Sequence, residues 1–528
     1  MKKIHWLVFL SILGLSILSF SFSFITPIYF KVLIDNIFIN KQLYFLNTVI
    51  IGMICIFIVS SITSYFNNYL MGKLEYKLYK EISEKLFYII QASSMKNKWS
   101  NDTGDLLTRV IGNVQIATKI VSRILPQIVT SLFTIIFPFI IMSYLNLYLA
   151  LVTISPCVLF IFLNLYLGKK IELNQKKVLT IYGAIFALLK ELFSIIPVIK
   201  AYNLNNWACE KLENINNDYY SNSMIFTKIS SVNASLNNLF SAVPVILFIV
   251  IGGRMVINGS LTIGTFTAFL SYISMFFTPI SQISSYWALY KSSTPAIDRI
   301  NEVMDMEIEK REGGNLNIQE GEIVFKDVEF AYNQNIILKN FNAHFKKGLN
   351  YIIGENGAGK STIIQLICGL YLPNKGEIMI DDQNISEIRQ KNLFENISVV
   401  FSSPYLFSGS IYENIIIGNL GANKNDVVDV CKLVELDSFI EKQQEGYEYN
   451  IGESGQLLSS GERQKIALAR ALIKRSPILL LDEATKSINE ETRKSMNKTL
   501  NKIKNQRTIV VVTHNLAEIE TDSNIIKL

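Results

Sequence analysis

The sequence has little charge, few cysteines and few histidines. Only 18% of its 528 residues are charged and 50% are hydrophobic, whereas soluble globular chains are about 25% charged. This composition excludes an ordinary soluble enzyme of two or three domains, and it also excludes a disordered or collagen-like chain. The five cysteines include no pair at CxxC spacing, so we expect small buried side chains. Three histidines are too few for a multi-histidine metal site.

Positive charge is concentrated in the first part of the chain. Residues 1–300 hold 24 Lys and Arg against 12 Asp and Glu, and residues 301–528 hold 26 against 32. The net charge of +6 is therefore the sum of +12 and −6. Because the basic excess belongs to the hydrophobic part and not to a soluble face, the sequence predicts no nucleic-acid partner.

Long apolar segments fill residues 1–300. A helix needs about 20 apolar residues to cross the hydrocarbon core of a bilayer. We interpret the first segment as a true span and not as a signal peptide, because it is long, has no cleavage site and is followed by more spans. The predicted membrane domain, residues 1–300, has six spans, at about 7–30, 46–66, 124–143, 149–167, 236–257 and 263–289.

Lysine and arginine are distributed unevenly around these spans. Residues 67–125 and 168–235 hold 17 of them, and the short loops 31–45, 144–148 and 252–262 hold three. The positive-inside rule then places the long segments, both termini and the C-terminal domain in the cytoplasm. We expect a multi-pass protein of a cell membrane, the bacterial plasma membrane being favoured. A site for anionic lipid headgroups made by the same side chains stays open.

The predicted spans carry no charge, and the segments that follow them are amphipathic. Residues 70–90 place apolar side chains at three-to-four spacing, so we expect the spans to continue as helices below the membrane. No predicted span centre contains Asp, Glu, Lys or Arg, which argues against an ion or proton relay. An ion gradient is therefore not the expected energy source for this membrane domain, and another part of the chain must supply the energy.

The composition changes after residue 300. Residues 301–321 are polar and contain glycine, which predicts a linker, and residues 322–528 alternate strands and helices. An apolar strand, residues 351–353, leads directly into the pattern GxxxxGKS and a helix. Such a loop wraps backbone N–H groups around phosphates, with Lys360 on the β- and γ-phosphates and the Ser361 hydroxyl on Mg²⁺. The predicted phosphate-binding residues are Gly354, Glu355, Asn356, Gly357, Ala358, Gly359, Lys360, Ser361 and Thr362.

A second apolar strand, residues 477–481, ends in two acids. Asp482 at such a strand end fits a Mg²⁺ ligand. Glu483 beside it fits the group that polarises the attacking water. With the phosphate loop, these residues predict a nucleotide-hydrolysing site.

Several motifs resemble those of ATP-binding-cassette (ABC) proteins. The segment from Leu458 to Gln464 is similar to the LSGGQ signature, and His514 after strand 508–512 is similar to the switch histidine. Tyr332 resembles the aromatic residue that stacks on adenine. In the membrane part, residues 103–109 resemble an intracellular loop of ABC exporters. The signature positions expected to bind ATP are Ser459, Ser460, Gly461 and Glu462.

This resemblance implies a half-transporter: a membrane α-helical bundle of six spans with cytoplasmic helix extensions, fused to an α/β P-loop NTPase cassette. In the family two cassettes dimerise head to tail, and each ATP lies between one phosphate loop and the other chain's signature. The implied ligands are ATP and Mg²⁺, and the implied partners are a second half-transporter, the lipid bilayer and an amphipathic substrate. The implied catalytic residues are Lys360, Glu483 and His514.

The chain departs from the family pattern at several positions. Ser402 stands where a glutamine is expected, and serine would reach Mg²⁺ only through water. Asn489 stands in place of an aspartate in the segment after the acidic pair. Ser460 and Glu462 replace a glycine and a glutamine of the signature. Two interpretations stay open: an active, atypical homodimer, which we favour, or one half of a heterodimer.

The predicted function is ATP-driven transport, with export of a peptide, bacteriocin-like or other amphipathic compound favoured. About six residues precede the first span, so we expect no leader-cutting peptidase domain there. Two alternatives stay open besides the heterodimer: an importer on the exporter fold, and an ATP-gated channel or sensor.

Overall fold

A computed structural model of the chain describes residues 3–93, 103–308, 313–332, 335–485, 488, 490–514, 519–520 and 523–528. The chain divides into two compact units. The first comprises Met1–Gln91 and Asp102–Met306, and the second comprises Ala92–Asn101 and Glu307–Leu528.

The first unit is built from six long helices that are apolar enough to cross a membrane. The apolar stretch of the second of these is only 11% buried, so most of its hydrophobic surface is open to a surrounding bilayer. Six apolar helices confirm the predicted membrane bundle. The long helices are α1 (Lys3–Val32), α2 (Leu46–Ala92), α5 (Leu125–Leu145), α6 (Leu147–Ser194), α8 (Asn205–Ile257) and α9 (Ile263–Met304).

Short helical segments join the long ones. They continue α1, connect α2 to α5 and connect α6 to α8. The tighter α-turns are interrupted by wider π-helical turns in the segment that precedes α5. The short segments are Leu33–Ile39 (π), Leu43–Phe45 (3₁₀), α3 (Thr103–Leu107), Thr108–Asn113 (π), α4 (Val114–Lys119), Ile120–Ile124 (π) and α7 (Ile196–Ala201).

The amphipathic stripe predicted for residues 70–90 lies on one unbroken helix. α2 runs over 47 residues, and Leu74, Leu78, Leu86 and Ile89 on it are buried. The helix therefore extends past the charge-free stretch into a segment with polar and charged faces, which is the expected extension of a span.

Two polar contacts join distant parts of the first unit. At one end, Asp35 accepts hydrogen bonds from the Gly264 N–H at 2.7 Å and the Thr262 hydroxyl at 2.6 Å. A Cβ on Gly264 would lie 2.5 Å from the Lys31 carbonyl oxygen, so this close approach requires glycine.

At the other end, buried Arg109 lies in the motif of residues 103–109. It donates to Asp105 at 2.7 Å and Glu302 at 2.7 Å, and to the Arg299 carbonyl at 3.1 Å. This explains why the motif pairs an acid and an arginine four residues apart.

The second unit contains two sheets. A five-stranded parallel sheet has the order β6-β7-β8-β3-β9, and a four-stranded antiparallel sheet has the order β2-β1-β4-β5. The mixed α/β prediction is confirmed, but the separate antiparallel sheet was not anticipated. The strands are β1 (Ile323–Tyr332), β2 (Asn335–Phe345), β3 (Gly348–Ile353), β4 (Lys375–Ile380), β5 (Gln383–Asn384), β6 (Ile397–Val400), β7 (Ile478–Asp482), β8 (Thr508–Val512) and β9 (Asn524–Lys527).

Helices cover the parallel sheet and bury its strands. Every residue of β7 and β8 is buried, as expected for parallel strands covered on both faces. The α-helices are α10 (Lys360–Ile367), α11 (Gln390–Asn396), α12 (Ile411–Ile416), α13 (Lys424–Leu433), α14 (Asp437–Ile440), α15 (Ser460–Ile473) and α16 (Glu490–Ile503), and the 3₁₀ turns are Ile385–Glu387, Gly446–Glu448, Glu453–Gly455 and Lys504–Gln506.

The cysteines only partly follow the expectation of burial. Cys157, Cys368 and Cys431 are buried, whereas Cys55 and Cys209 are exposed. Cys55 lies in the apolar stretch of α2, on a surface that a bilayer can cover, so composition alone did not separate exposed from core positions.

Candidate functional site

Three parallel strands end side by side at one edge of the five-stranded sheet. β3 and β7 both neighbour β8, and Ile352 and Asp482 are each paired with Val512. Ligands of open α/β sheets bind beyond the carboxyl ends of the strands. The loop after β3, the acidic pair at the end of β7 and His514 after β8 therefore meet at one place.

The loop between β3 and α10 has the backbone that its glycines predict. Gly357 and Gly359 have φ values of +85° and +96°, a region that other residues rarely adopt. A Cβ on Gly359 would also lie 2.8 Å from Cγ2 of Ile337. Gly359 supplies no side-chain cap to α10, so N–H groups of the first turn are left for an anion.

Lys360 begins α10, and its side chain turns back to the loop. Its side chain is buried, and its ammonium donates to the carbonyl oxygens of Gly354 at 2.9 Å and Glu355 at 2.8 Å. The Lys360 ammonium is thus a cation held by backbone carbonyl groups inside the loop. Among the other predicted loop residues, Glu355, Asn356, Gly357 and Ser361 are exposed, Gly354 and Ala358 are half-buried, and Thr362 is buried.

Two hard oxygen donors lie next to each other beside the loop. The Ser361 hydroxyl donates to Oδ1 of Asp482 at 2.9 Å, although 121 residues separate them in the sequence. Asp482 is buried, while Ser361 is open to solvent. This pair is the arrangement that the sequence predicted from two separate motifs.

Glu483 and His514 are in direct contact. Nε2 of the imidazole hydrogen-bonds Oε1 of the carboxylate. Glu483 has a left-handed backbone, with φ of +48°, and its N–H donates to the Val512 carbonyl at 3.2 Å. The backbone of β8 therefore fixes the direction of the carboxylate, and the side chain that follows β8 touches it.

Tyr332 ends β1 close to the phosphate-loop helix. Its hydroxyl donates to Oε1 of Gln365 on α10 at 2.5 Å, and its ring packs edge-on against Phe330 and Tyr371. The ring is half-buried, and these contacts hold it at the side of α10.

The signature segment forms the start of α15. Ser459 is the N-cap: its hydroxyl accepts the Glu462 N–H at 3.3 Å, and its own N–H donates to the Glu462 carboxylate at 2.7 Å. This reciprocal pair is a capping box. Ser459 and Ser460 are exposed and Gly461 is half-buried, so this helix start faces outward from its own unit.

Ser402 lies in the exposed segment after β6. The sequence did not predict what holds this segment. The guanidinium of Arg470 on α15 donates to the carbonyls of Tyr405 at 2.6 Å and Asn414 at 2.7 Å. The Gln464 amide donates to the Phe401 carbonyl at 3.4 Å.

A signal for Arg470 was present in the sequence. The arginine follows a run of apolar residues on the helix, where a charged side chain needs partners to be buried. Burial lowers the pKa of Arg470 from its usual value. The predicted departure at Asn489 lies outside the described residues.

The fold and the site together define a membrane protein that carries a P-loop nucleotide-hydrolysing domain. The family described as ABC transporter transmembrane region matches residues 8–280, and the family described as ABC transporter matches residues 338–486. The chain belongs to the ABC transporters, as its motifs predicted.

Curated relatives place it among the exporters. The chain is 26% identical over 502 residues to the ATP-dependent lipid A-core flippase of Syntrophus aciditrophicus (strain SB), covering 94% of this chain and 84% of that protein. It is 26% identical over 523 residues to the Alpha-hemolysin translocation ATP-binding protein HlyB of Escherichia coli O157:H7, covering 98% and 74%.

One relative is much longer. The Serine protease/ABC transporter B family protein tagA of Dictyostelium discoideum is 28% identical over 479 residues, which is 90% of this chain but 27% of that protein.

A solved structure has the same fold. A bacterial Atm1-family ABC exporter with ATP bound superposes with a TM-score of 0.85 at 20% identity, covering 98% of this chain and 93% of that one. The family matches and these relatives make the chain an ATP-hydrolysing membrane transporter of the ABC exporter family.

Proposed function

We propose that the chain is one half of a dimeric exporter that moves an amphipathic compound, with a peptide or bacteriocin-like molecule as the first candidate. The observation that carries this proposal is the combination, in one chain, of a nucleotide-hydrolysing site and a helical unit with an uncharged cavity. The favoured partner is a second copy of the chain.

The cavity lies within the six-helix unit. Its volume is about 570 Å³, and residues of α1, α2, α5 and α9 line it. Hydroxyl and amide groups line it together with aromatic and methionine side chains, and none of the described lining residues is charged. Such a lining offers hydrogen bonds and apolar contact together, which suits part of an amphipathic molecule. Representative lining residues are Ser16, Phe20, Asn67, Gln127, Met275 and Gln282.

ATP is bound first by the phosphate loop. The Lys360 ammonium exchanges its carbonyl partners in the loop for β- and γ-phosphate oxygens, and the first-turn N–H groups of α10 bind the remaining oxygens. The Tyr332 ring lies beside adenine. On the opposite side of the nucleotide, the exposed start of α15 in a second copy meets the γ-phosphate. The Ser459 hydroxyl there can donate its proton in a hydrogen bond to a phosphate oxygen.

The residues present fit Mg²⁺. Two adjacent hard oxygens, Ser361 Oγ and Asp482 Oδ1, suit an ion that takes few protein ligands and completes its shell with water and phosphate. Ser402 would join only through a water molecule. When bound, Mg²⁺ neutralises charge on the β- and γ-phosphates.

Hydrolysis needs a base for the attacking water. Glu483 accepts the proton of that water, and its fixed backbone points the carboxylate from the end of β7. His514, which touches this carboxylate, keeps it oriented and reaches the γ-phosphate. ATP binding would join two cassettes, and hydrolysis would release them.

The charge distribution sets the orientation of the chain in the membrane in this proposal. With 17 Lys and Arg in residues 67–125 and 168–235 against three in the short loops, the ATP site belongs in the cytoplasm. If the chain exports, as its relatives favour, cargo enters from the cytoplasm or inner leaflet and leaves on the outer side of a bacterial plasma membrane.

The test is transport into inside-out membrane vesicles. The purified chain is reconstituted, and uptake of a fluorescent amphipathic peptide is followed with ATP and Mg²⁺. ATP-dependent accumulation, lost in Lys360→Ala, supports an exporter. Accumulation only in right-side-out vesicles that enclose ATP would indicate an importer. Passive flow of cargo down its concentration gradient would indicate a channel.

A heterodimer is the second candidate, and Ser402 favours it. This short side chain stands where the family uses glutamine. A partner chain with glutamine at that position would couple ATP hydrolysis to cargo transport at one of the two ATP sites. The chain expressed alone distinguishes the two: a stable dimer with cargo-stimulated ATP hydrolysis supports the homodimer, and a monomer without stimulation supports the heterodimer.

A further inference from the structure

A second cavity opens between α2 and the segment before α5. Its volume is about 610 Å³, and it shares no lining residue with the uncharged cavity of the same unit. On each helical segment lining positions recur four residues apart, at Glu75 and Tyr79 on α2 and at Ile111, Gln115, Lys119 and Arg123 before α5, so each segment presents one face. The polar lining residues are Glu75, Tyr76, Tyr79, Gln115, Thr118, Lys119 and Arg123.

The cavity lies at the boundary between charge-free and charged helix. Along α2 no charged residue precedes Lys73, and along α5 none follows until Lys169 on α6. Arg123 is the last charged residue before α5, and it contacts Glu75 across the two helices. In a membrane protein such a boundary marks the level of the lipid headgroups.

Buried Glu75 orients the guanidinium of Arg123. Its carboxylate accepts the Arg123 Nε–H at 2.7 Å, and the carboxylate side chain is 8% exposed whereas the arginine is 53% exposed. The Nε edge of the guanidinium is therefore held by the carboxylate while the arginine side chain as a whole stays exposed. A planar guanidinium oriented in this way can donate hydrogen bonds to two oxygens of one phosphate.

The charge of the cavity is net positive. Lys119 is exposed and adds a second cation, against the one carboxylate already paired with Arg123. Lys73 and Lys77 flank Glu75 in the sequence and raise the local potential. The exposed hydroxyl-bearing Tyr76 adds a neutral donor.

We propose that this cavity binds a phosphate anion, and that its source is the headgroup of an anionic phospholipid in the adjacent leaflet. Lys119 and the Nη groups of Arg123 contact the phosphate, while Glu75 positions Arg123. The acyl chains lie along the charge-free part of α2. The site is separate from the cargo cavity and does not depend on the identity of the cargo.

The test uses native mass spectrometry of the full-length protein in detergent, titrated with phosphatidylglycerol or phosphatidylcholine. Selective binding of phosphatidylglycerol is expected. Lys119→Gln should weaken the tightest phosphatidylglycerol site about fivefold, because a lysine near a lipid surface contributes about that much. Lys85→Gln is the matched control, since Lys85 on α2 is exposed like Lys119 but does not line the cavity.

Two further arms sharpen the result. If Lys119→Gln does not fold, Tyr76→Phe takes its place. It removes only a hydroxyl and should weaken phosphatidylglycerol binding about twofold. Displacement of phosphatidylglycerol by millimolar inorganic phosphate would support recognition of the phosphate group itself, because free phosphate would then compete with the lipid headgroup for the cavity. Equal affinity for the two lipids, or equal effects of Lys119→Gln and Lys85→Gln, overturns the proposal.

Discussion

Replacing the carboxylate of Glu483 by an amide tests the chemistry of the site most directly. Glu483→Gln keeps the shape of the side chain, and its amide oxygen still accepts a hydrogen bond from His514. The backbone bond to Val512, at 3.2 Å, is unaffected. The variant therefore retains the geometry but loses the group that takes the proton from water.

The size of the effect follows from that single loss. A positioned general base contributes about 10²–10⁴ in rate, which corresponds to roughly 3–5 kcal/mol of activation free energy. ATP affinity should be kept or raised, because removing a negative charge near the phosphates removes a repulsion. We expect hydrolysis to fall at least a hundredfold while ATP stays bound.

The assay measures both quantities on the same preparation. Phosphate release reports turnover, and retention of radiolabelled ATP after rapid gel filtration reports binding. Glu445→Gln is the matched control, since Glu445 is an exposed glutamate of the same domain away from the end of β7, and it should behave as the unmodified chain.

Two results would contradict this reasoning. Hydrolysis by Glu483→Gln within threefold of the unmodified chain would show that another group activates the water. Loss of ATP retention together with hydrolysis would show that the residue holds the structure of the site and not its chemistry.

Three other changes have defined outcomes. Gly359→Ala should abolish ATP retention and lower the unfolding temperature, since a φ of +96° costs about 1–2 kcal/mol and the new Cβ meets Ile337. Asp381→Asn should lower the free energy of unfolding by about 2 kcal/mol in urea titration, because this carboxylate accepts four backbone N–H groups of residues 319–322. Maleimide should label exposed Cys209 and spare Cys368 in the folded protein, as peptide mapping would show, because burial raises the pKa of Cys368 to about 12.

Local motifs were predictable because the residues that each one needs are close together in the sequence. The phosphate loop needs glycines at two positive φ positions and a lysine at the helix start, and a short stretch of sequence contains all of them. The Ser361–Asp482 contact was also predictable, because two parallel strands with loops at the same sheet edge bring distant residues together.

The less predictable parts depend on non-local packing. The antiparallel sheet joins β1, β2, β4 and β5, and no single segment carries the information for that pairing. The helix extensions were expected, but their ends were not predictable: α8 covers 53 residues, whereas apolar composition marks only its last 22, residues 236–257, because a polar extension has no such signal.

The departures from the family pattern differ in their physical consequences. At the signature, Glu462 closes a charge-assisted capping box on Ser459, so the substitution strengthens the helix start and leaves the hydroxyl proton of Ser459 to donate. At Ser402 the side chain is shorter, yet the surrounding backbone is tied to α15 through Arg470. The position of that segment is thus set by the helix that begins at the signature and not by residue 402. A change in the position of α15 on ATP binding would move the segment directly, which gives coupling a route that does not need the missing glutamine.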